Sequence, residues 1–344
     1  MHDLPRIGLG LYPFGGGYGP VELDEVARTL DAALEHGWTF LDTAEAYGDS
    51  ETVTGQLLRG RRERVFLATK AFPCEPYTAP ALRAAAEGSL RRLGTDYLDL
   101  YQLHGPEDWL AEERTPVEEV AAALAELRTS GLVRHVGVCN FTAAQLEELS
   151  GHAEVFSIQN LYGMLDRTPS SDQLQFGVEE EILPYTRPAG IRFIAYSPLG
   201  RGLLAEGQDP GRVFRVTDER HYLPRFQPDV YPAYVALADG LAGWARARGR
   251  TLPELAVAWV LRLDAVDSVL LGAKSVAQVE AVAGAREWRL EPEEITELER
   301  LLETLPAHAR DAQASVFEHI PPERLADLRR RRYDAASEAP IRYR

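Results

Sequence analysis

Eight short β-rich runs recur along this chain, and the stretches between them carry helical spacing. The runs are RIGLG from Arg6, WTFLD from Trp38, VFLATK from Val65, YLDLYQLH from Tyr97, VRHVGVCN from Val133, VFSIQN from Val155, IRFIAYS from Ile191 and DSVLLG from Asp267. In DEVARTLDAALEHG, Val26, Leu30, Ala33 and Leu34 fall on one helix face, and in VEEVAAALAELRTSG, Val120, Leu124 and Leu127 do the same. Gly37 and Gly131 stand where C-terminal caps belong. Strands that alternate with helices pair in parallel, because the chain crosses back over the sheet before adding the next strand. Eight such units over about 250 to 300 residues predict an α/β fold of the (β/α)8 TIM-barrel type rather than an open sheet. The expectation is a single barrel domain over residues 1–306 with long βα loops, followed by a C-terminal tail over 307–344.

Composition removes several classes. No stretch is apolar for the roughly 18 residues that a membrane helix needs, and MHDLPRIGLG lacks the basic start and apolar core of a signal peptide. A soluble, cytoplasmic protein is expected. Cys74 and Cys139 are the two cysteines of the 344 residues, so no disulfide framework and no CxxC metal pair is predicted. A formal charge of −16 argues against a nucleic-acid surface, which needs a basic field. An anionic cofactor remains compatible with it, since a few local cations and backbone N–H groups hold a phosphate inside an acidic protein.

In a barrel of this kind catalytic groups come from the carboxyl ends of strands. Asp42 ends the second run, Lys70 the third and His104 the fourth, and Tyr47 lies in the loop after the second. Each has an ordinary alternative: a turn cap for Asp42, a rim aromatic for Tyr47, a solvated strand end for Lys70, a histidine beside the Gly105-Pro106 turn for His104. Together they place proton-handling groups at three consecutive strand ends. Reducing a carbonyl requires a hydride donor at the carbon and an acid beside the oxygen, and a free phenol is a weak acid with a pKa of about 10. Lys70 is expected to lower it, Asp42 to hold that lysine charged and oriented, and His104 to hydrogen-bond the substrate oxygen. No His-x-His and no carboxylate cluster of metal-ligand spacing stands at the strand ends, which disfavours a metallohydrolase. No metal is expected.

From about Arg6 to Pro306 the sequence resembles the aldo-keto reductases. Asp42-Thr43-Ala44, Tyr47-Gly48 and Ser50-Glu51 look like that family's first signature, with Ser50 expected to cap the next helix. The resemblance implies a catalytic tetrad of Asp42, Tyr47, Lys70 and His104. It implies that Cys139-Asn140 and Gln159 hold a nicotinamide carboxamide, with Cys139 replacing the common serine, and that Tyr196 stacks on the ring. It also implies cofactor contacts from Gly10, Leu11, Ser197, Pro198, Leu199, Gly200 and Arg201. The residues themselves agree in type: Asn140 and Gln159 are amides at the ends of the fifth and sixth runs, able to donate and accept at once. Strand-end turn chemistry for the amides, and closure of the core for Tyr196, are their structural alternatives.

In LLGAKSVAQVE, Gly272, Lys274 and Ser275 precede a helix that includes Gln278, so a helix N-terminus, an ammonium and a hydroxyl face one anion. By the resemblance Lys274 and Ser275 form a 2′-phosphate site, which makes NADPH the expected cofactor, with NADH left open. An ordinary Ser N-cap beside an exposed lysine is the alternative. Where the family often has a Glu-Asn pair farther along this helix, this chain has Ala281-Val282.

Tyr12, the Gly15-Gly16-Gly17 loop, Trp109 and the excursion from Leu203 to Pro232 are expected to overhang the rim, with Tyr12 and Trp109 as pocket candidates. Tyr222, Arg225 and Phe226 in that excursion suit either ligand contact or packing. The basic run Arg329 to Arg332 fits a solvated helix end, a cover over the active-site mouth, a contact with a neighbouring subunit or a site that orders an anionic substrate. The expected partner is a small carbonyl or sugar. The leading function is NADPH-dependent reduction of an aldehyde or ketone to an alcohol. Two others remain open: NAD(P)-dependent oxidation of a sugar or lactol, and a nucleotide-sensing regulatory subunit with little turnover.

Overall fold

The structure, a computed structural model, describes residues 4–72, 76–106, 114–167, 176–215, 218–310 and 312. Eight strands follow one another around a closed barrel: β1 (Ile7–Gly10), β2 (Phe40–Asp42), β3 (Phe66–Ala71), β4 (Leu98–Leu103), β5 (Val133–Cys139), β6 (Ser157–Leu161), β7 (Arg192–Tyr196) and β8 (Ser268–Gly272). Every neighbouring pair is parallel, and β8 closes on β1 through the register Gly10 with Gly272. Each strand coincides with one of the eight β-rich runs. The helices are α1 (Leu23–Glu35), α2 (Ser50–Leu57), α3 (Ala79–Leu93), α4 (Val117–Thr129), α5 (Ala143–Ser150), α6 (Leu183–Ala189), α7 (Tyr231–Arg246), α8 (Leu252–Leu261), α9 (Val276–Glu280), α10 (Pro292–Leu302) and α11 (Ala307–Arg310). Gly37 and Gly131 follow α1 and α4 with φ of 77° and 78°, the left-handed turn that lets a helix stop and a strand begin.

Two apolar layers hold the barrel together. Outside the strands, Val26, Leu30 and Ala33 of α1 and Val120, Leu124 and Leu127 of α4 are buried in the shell between helices and sheet. Each such leucine contributes about 1.5–3 kcal/mol by leaving water. Inside the strands, Phe40, Ala68, Leu100, Ile194 and Leu270 form a separate cluster with Leu4. Gly8 makes room for it, since a Cβ there would stand 2.8 Å from Phe40 and 2.9 Å from Leu270. Side chains alternate along a strand, so the residues two positions after Phe40, Ala68 and Leu100 share the inward face. Those residues are Asp42, Lys70 and Gln102. The period of two thus lifts a charged and polar layer directly onto an apolar plug.

The segment after residue 306 begins with α11, which lies against α7: Tyr234 Oη donates to the Ala309 carbonyl at 2.9 Å. Arg329 to Arg332, Trp109 and Cys74 lie outside the described residues, and so do their expected roles. Among the described residues no helix is long and apolar enough to cross a membrane.

Candidate active site

Four of the expected residues meet at the carboxyl end of β2, β3 and β4. Lys70, with no exposed surface, donates from Nζ to Asp42 Oδ2 at 2.5 Å, to the Thr43 carbonyl at 2.9 Å and to Tyr47 Oη at 3.3 Å. The ring of Tyr47 packs edge-on to the His104 imidazole, centroids 5.5 Å apart, and the Phe72 ring meets the same imidazole edge-on at 6.1 Å. Gly15 allows the β1 loop to reach this corner, because a Cβ there would stand 1.7 Å from the Tyr47 carbonyl. The expected Ser50 cap does not form. Ser50 is the first residue of α2, and its buried hydroxyl donates to the Leu11 carbonyl and meets Thr43 Oγ1, both at 2.8 Å, pinning the β1 and β2 loops together.

The electrostatics correct one expectation. Burial, with the Asp42 carboxylate nearby, pushes the Tyr47 phenol well above its ordinary range rather than lowering it. The ammonium of Lys70 is engaged by Asp42 and the Thr43 carbonyl, and desolvation is the largest influence on the phenol. The Tyr47 phenol is therefore protonated at neutral pH. Burial, reinforced by Lys70, holds His104 well below the usual imidazole range, so it is neutral at physiological pH.

The two amides adopt defined orientations. Asn140 Nδ2 donates to the His104 carbonyl at 3.0 Å, and its Oδ1 accepts from Tyr196 Oη at 2.8 Å. This fixes the tyrosine ring, and Asn140 does it from a left-handed backbone at φ 59° that a non-glycine residue rarely adopts. Gln159 stands in the middle of β6 rather than at its end, because β6 runs on to Leu161. Its Nε2 points into the barrel and donates to Asp42 Oδ1 at 2.9 Å. Cys139 is buried beside it, with Sγ 3.8 Å from Gln159 Oε1 and its thiol pushed well up by burial.

The remaining candidates line the rim between β7, β8 and β1. Among the described residues, Ser197 and Arg201 join Asn140 as the non-glycine residues with left-handed backbone, and Gly200 between them has φ 55°. The turn Ser197-Pro198-Leu199-Gly200-Arg201 is thus a tight coil of backbone at the end of β7. Gly10 lies against Gly272 across the β1–β8 seam. Leu11 is wholly buried, its N–H donated to the Asp42 carbonyl and its own carbonyl holding Ser50, so it supports the site from beneath. Lys274 Nζ reaches the Tyr18 carbonyl at 3.2 Å, and Ser275 caps α9 while Gln278 Oε1 accepts from the Lys274 N–H at 2.9 Å. Since α9 has five residues, its dipole is small; the ammonium and hydroxyl carry what anion affinity the segment has. Val282 is wholly buried and the Ala281 carbonyl holds Thr251, so this pair anchors the helix and presents no polar side chain.

Sequence reasoning missed two participants. Glu219 accepts from Tyr12 Oη at 2.7 Å and pairs with Arg201 Nε at 3.1 Å, tying the β7 loop to the β1 loop above the site. Nothing in an aperiodic loop announces such a contact. Gln102 was legible, since it is two residues before His104 on the same strand face; it donates to Asp42 Oδ1 at 3.1 Å. Arg225 turns out to be structural: it is buried against Asp166 at 2.6 Å and donates to the Leu165 and Ala312 carbonyls. Phe226 packs with Phe214 and Tyr231, and the Tyr222 ring lies against His221.

Comparison with known proteins agrees with this geometry. The model of the aldo/keto reductase family matches residues 6–303. The aldo-keto reductase YhdN of Bacillus subtilis is 34% identical over 314 residues, covering 88% of this chain and 91% of that protein. Among solved structures, the glycerol dehydrogenase AKR11B4 of Gluconobacter oxydans superposes with a TM-score of 0.75 at 30% identity, over 88% of this chain and 92% of its own. An aldo/keto reductase from Klebsiella pneumoniae, solved with NADP and acetate, gives 0.67 at 30% identity over 91% and 96%. With its closed eight-stranded barrel and these matches over nearly its whole length, the chain belongs to the aldo/keto reductase family.

Proposed function

We propose that this protein is an NADPH-dependent oxidoreductase that reduces an aldehyde or ketone to an alcohol, with Tyr47 as the proton donor. The observation that carries the reading is the buried Lys70 ammonium, which bridges the Asp42 carboxylate and the Tyr47 hydroxyl beside a neutral His104. The residues present suit a nicotinamide dinucleotide. Asn140 and Gln159 offer amide groups at one end of the cleft. At the other, Lys274, Arg201 and Arg220 gather on one rim of a chain whose formal charge is −16. Arg201 is paired with Glu219 and Arg220 with Asp218, so these cations are held in place by partners on the β7 loop. The NADP bound by the Klebsiella relative supports the phosphorylated cofactor, with Lys274 and Ser275 as holders of its 2′-phosphate.

When bound, NADPH supplies the hydride. The chain does the rest. Tyr47 donates its proton to the carbonyl oxygen as charge develops there, and its high proton affinity delays that transfer until the oxygen has become strongly basic. The tyrosinate left behind faces the Lys70 ammonium at 3.3 Å, and Asp42 keeps that ammonium in position. His104, being neutral, offers a hydrogen bond to the same oxygen without competing as an acid. Run backwards, Tyr47 is the base for oxidising an alcohol; the likeness to a glycerol dehydrogenase supports a polyol or sugar as the second substrate class.

The test is to follow the absorbance of NADPH with purified protein and a panel of aldehydes, ketones and, with NADP+, polyols. Carbonyl-dependent NADPH oxidation is the expected result. Cofactor binding with no turnover on any panel member would overturn the reading.

A further inference from the structure

Lysine is nearly absent from this chain. Of the 37 lysines and arginines, all but Lys70 and Lys274 are arginine. The distinction is chemical, because an amine that sheds its proton attacks acyl donors, while a guanidinium keeps its proton at ordinary pH. Lys70 is closed to such attack, since it has no exposed surface and the Asp42 carboxylate holds its ammonium. Lys274 is open to it. The residue is half-buried at the rim, and its Nζ meets one acceptor, the Tyr18 carbonyl at 3.2 Å. Burial, followed by the charge of Arg220, lowers its pKa, so more of it is free amine at a given pH.

The same corner offers hold for a small anion. Arg220 lies over the Tyr18 ring at 5.1 Å and the Phe214 ring at 4.7 Å, and Arg212 lies over Phe214 at 4.9 Å. Two aromatic rings gather both guanidinium groups near the lysine, on which their charges act. Asp218 takes Nε and Nη2 of Arg220, which leaves Nη1 with no hydrogen-bond acceptor among the described residues. Ser275 adds a hydroxyl beside Lys274.

We propose that Lys274 is an acylation site for acyl phosphates, which dock by their phosphoryl group against Arg212 and Arg220. The amine lone pair attacks the acyl carbon. A C–N bond forms, the bond from that carbon to the phosphate oxygen breaks, and the departing phosphate takes the proton from nitrogen, leaving an amide and hydrogen phosphate. The consequence rests on the reductase reading: with Lys274 as a holder of the 2′-phosphate, its acylation turns the enzyme from NADPH towards NADH.

The test treats the full-length protein with acetyl phosphate, and separately with p-nitrophenyl acetate, which carries the same acyl group and no phosphate. Mass spectrometry of the digested protein follows Lys274, with the N-terminally blocked peptide LLGAKSVAQVE as the same lysine outside the fold. Acetyl phosphate should modify Lys274 about tenfold faster in the protein than in the peptide, the gain from docking beside the nucleophile, and inorganic phosphate should abolish that excess. With p-nitrophenyl acetate, protein and peptide should differ by no more than about threefold, the share left to the lowered pKa. Equal rates with acetyl phosphate overturn the inference, as does an excess that inorganic phosphate leaves intact or that both donors share. The acetylated protein is then titrated with both cofactors. NADPH should bind about ten- to a hundredfold more weakly and NADH within about twofold of before. Rapid, phosphate-sensitive acetylation with both affinities unchanged would uphold the acylation site and overturn the 2′-phosphate assignment instead.

Discussion

Lys70 and Lys274 both sit at the carboxyl ends of strands of one barrel, yet they are held in opposite ways. Lys70 has no exposed surface and three oxygen partners, all on β2 or the residues just after it. Lys274 is half-buried and reaches one backbone carbonyl, that of Tyr18 in the β1 loop. The acid that acts on it, Asp218, belongs to the β7 loop and is paired with Arg220. Where a proton is to move, the cation is fixed by the sheet, and an error of a fraction of an ångström is prevented by packing. Where a large anion is to enter and leave, the cation is held by contacts that a phosphate can replace. On the proposed mechanism, rigidity is concentrated where charge develops in the reaction.

The largest expected effect tests the rigid side. Lys70→Met should cost about 3–5 kcal/mol of stability, because it leaves Asp42 buried with its ionic partner gone. Lys274→Ala should cost at most about 0.5 kcal/mol, as a partly exposed substitution does. Urea unfolding of both variants measures this, and equal losses would erase the contrast. Next comes the exchangeable side. Lys274→Ala should weaken NADPH by about ten- to a hundredfold, the range for a hydrogen bond to a charged group, and NADH by no more than about twofold. Titration with each cofactor decides it, and matched losses would remove the 2′-phosphate assignment.

The smallest effect concerns pH. His104 is held neutral in the fold, while an unfolded imidazole protonates near about 6.5. Below that pH the unfolded state binds one more proton, so stability falls as pH falls, by at most about 1.4 kcal/mol per pH unit. His104→Gln should remove that slope on the acid side and leave stability above neutrality without a new pH dependence. An unchanged acid slope would mean that His104 is not held neutral.

The same contrast explains what could be read in advance. The eight strands and the strand-end residues Asp42, Lys70 and His104 were legible because alternation along a strand and position at its end are local properties of the sequence. Ser50 was misread as a cap because its true partner, the Leu11 carbonyl, lies 39 residues away. The direction of the Tyr47 shift was misread for a related reason. A neighbouring ammonium is visible in a list of strand ends, but the burial that raises the phenol belongs to the closed barrel. Glu219 depends on how a loop folds back across the rim, which no periodicity encodes.

The central claim is that Tyr47 delivers the proton from a corner the cofactor does not build. The most direct measurement is single-turnover NADPH oxidation by Tyr47→Phe beside wild type, with NADPH affinity determined on the same samples. Loss of about 10²- to 10⁴-fold in rate with cofactor affinity within about twofold is the predicted result. A rate near that of wild type at saturating carbonyl would contradict it and move the proton to another group.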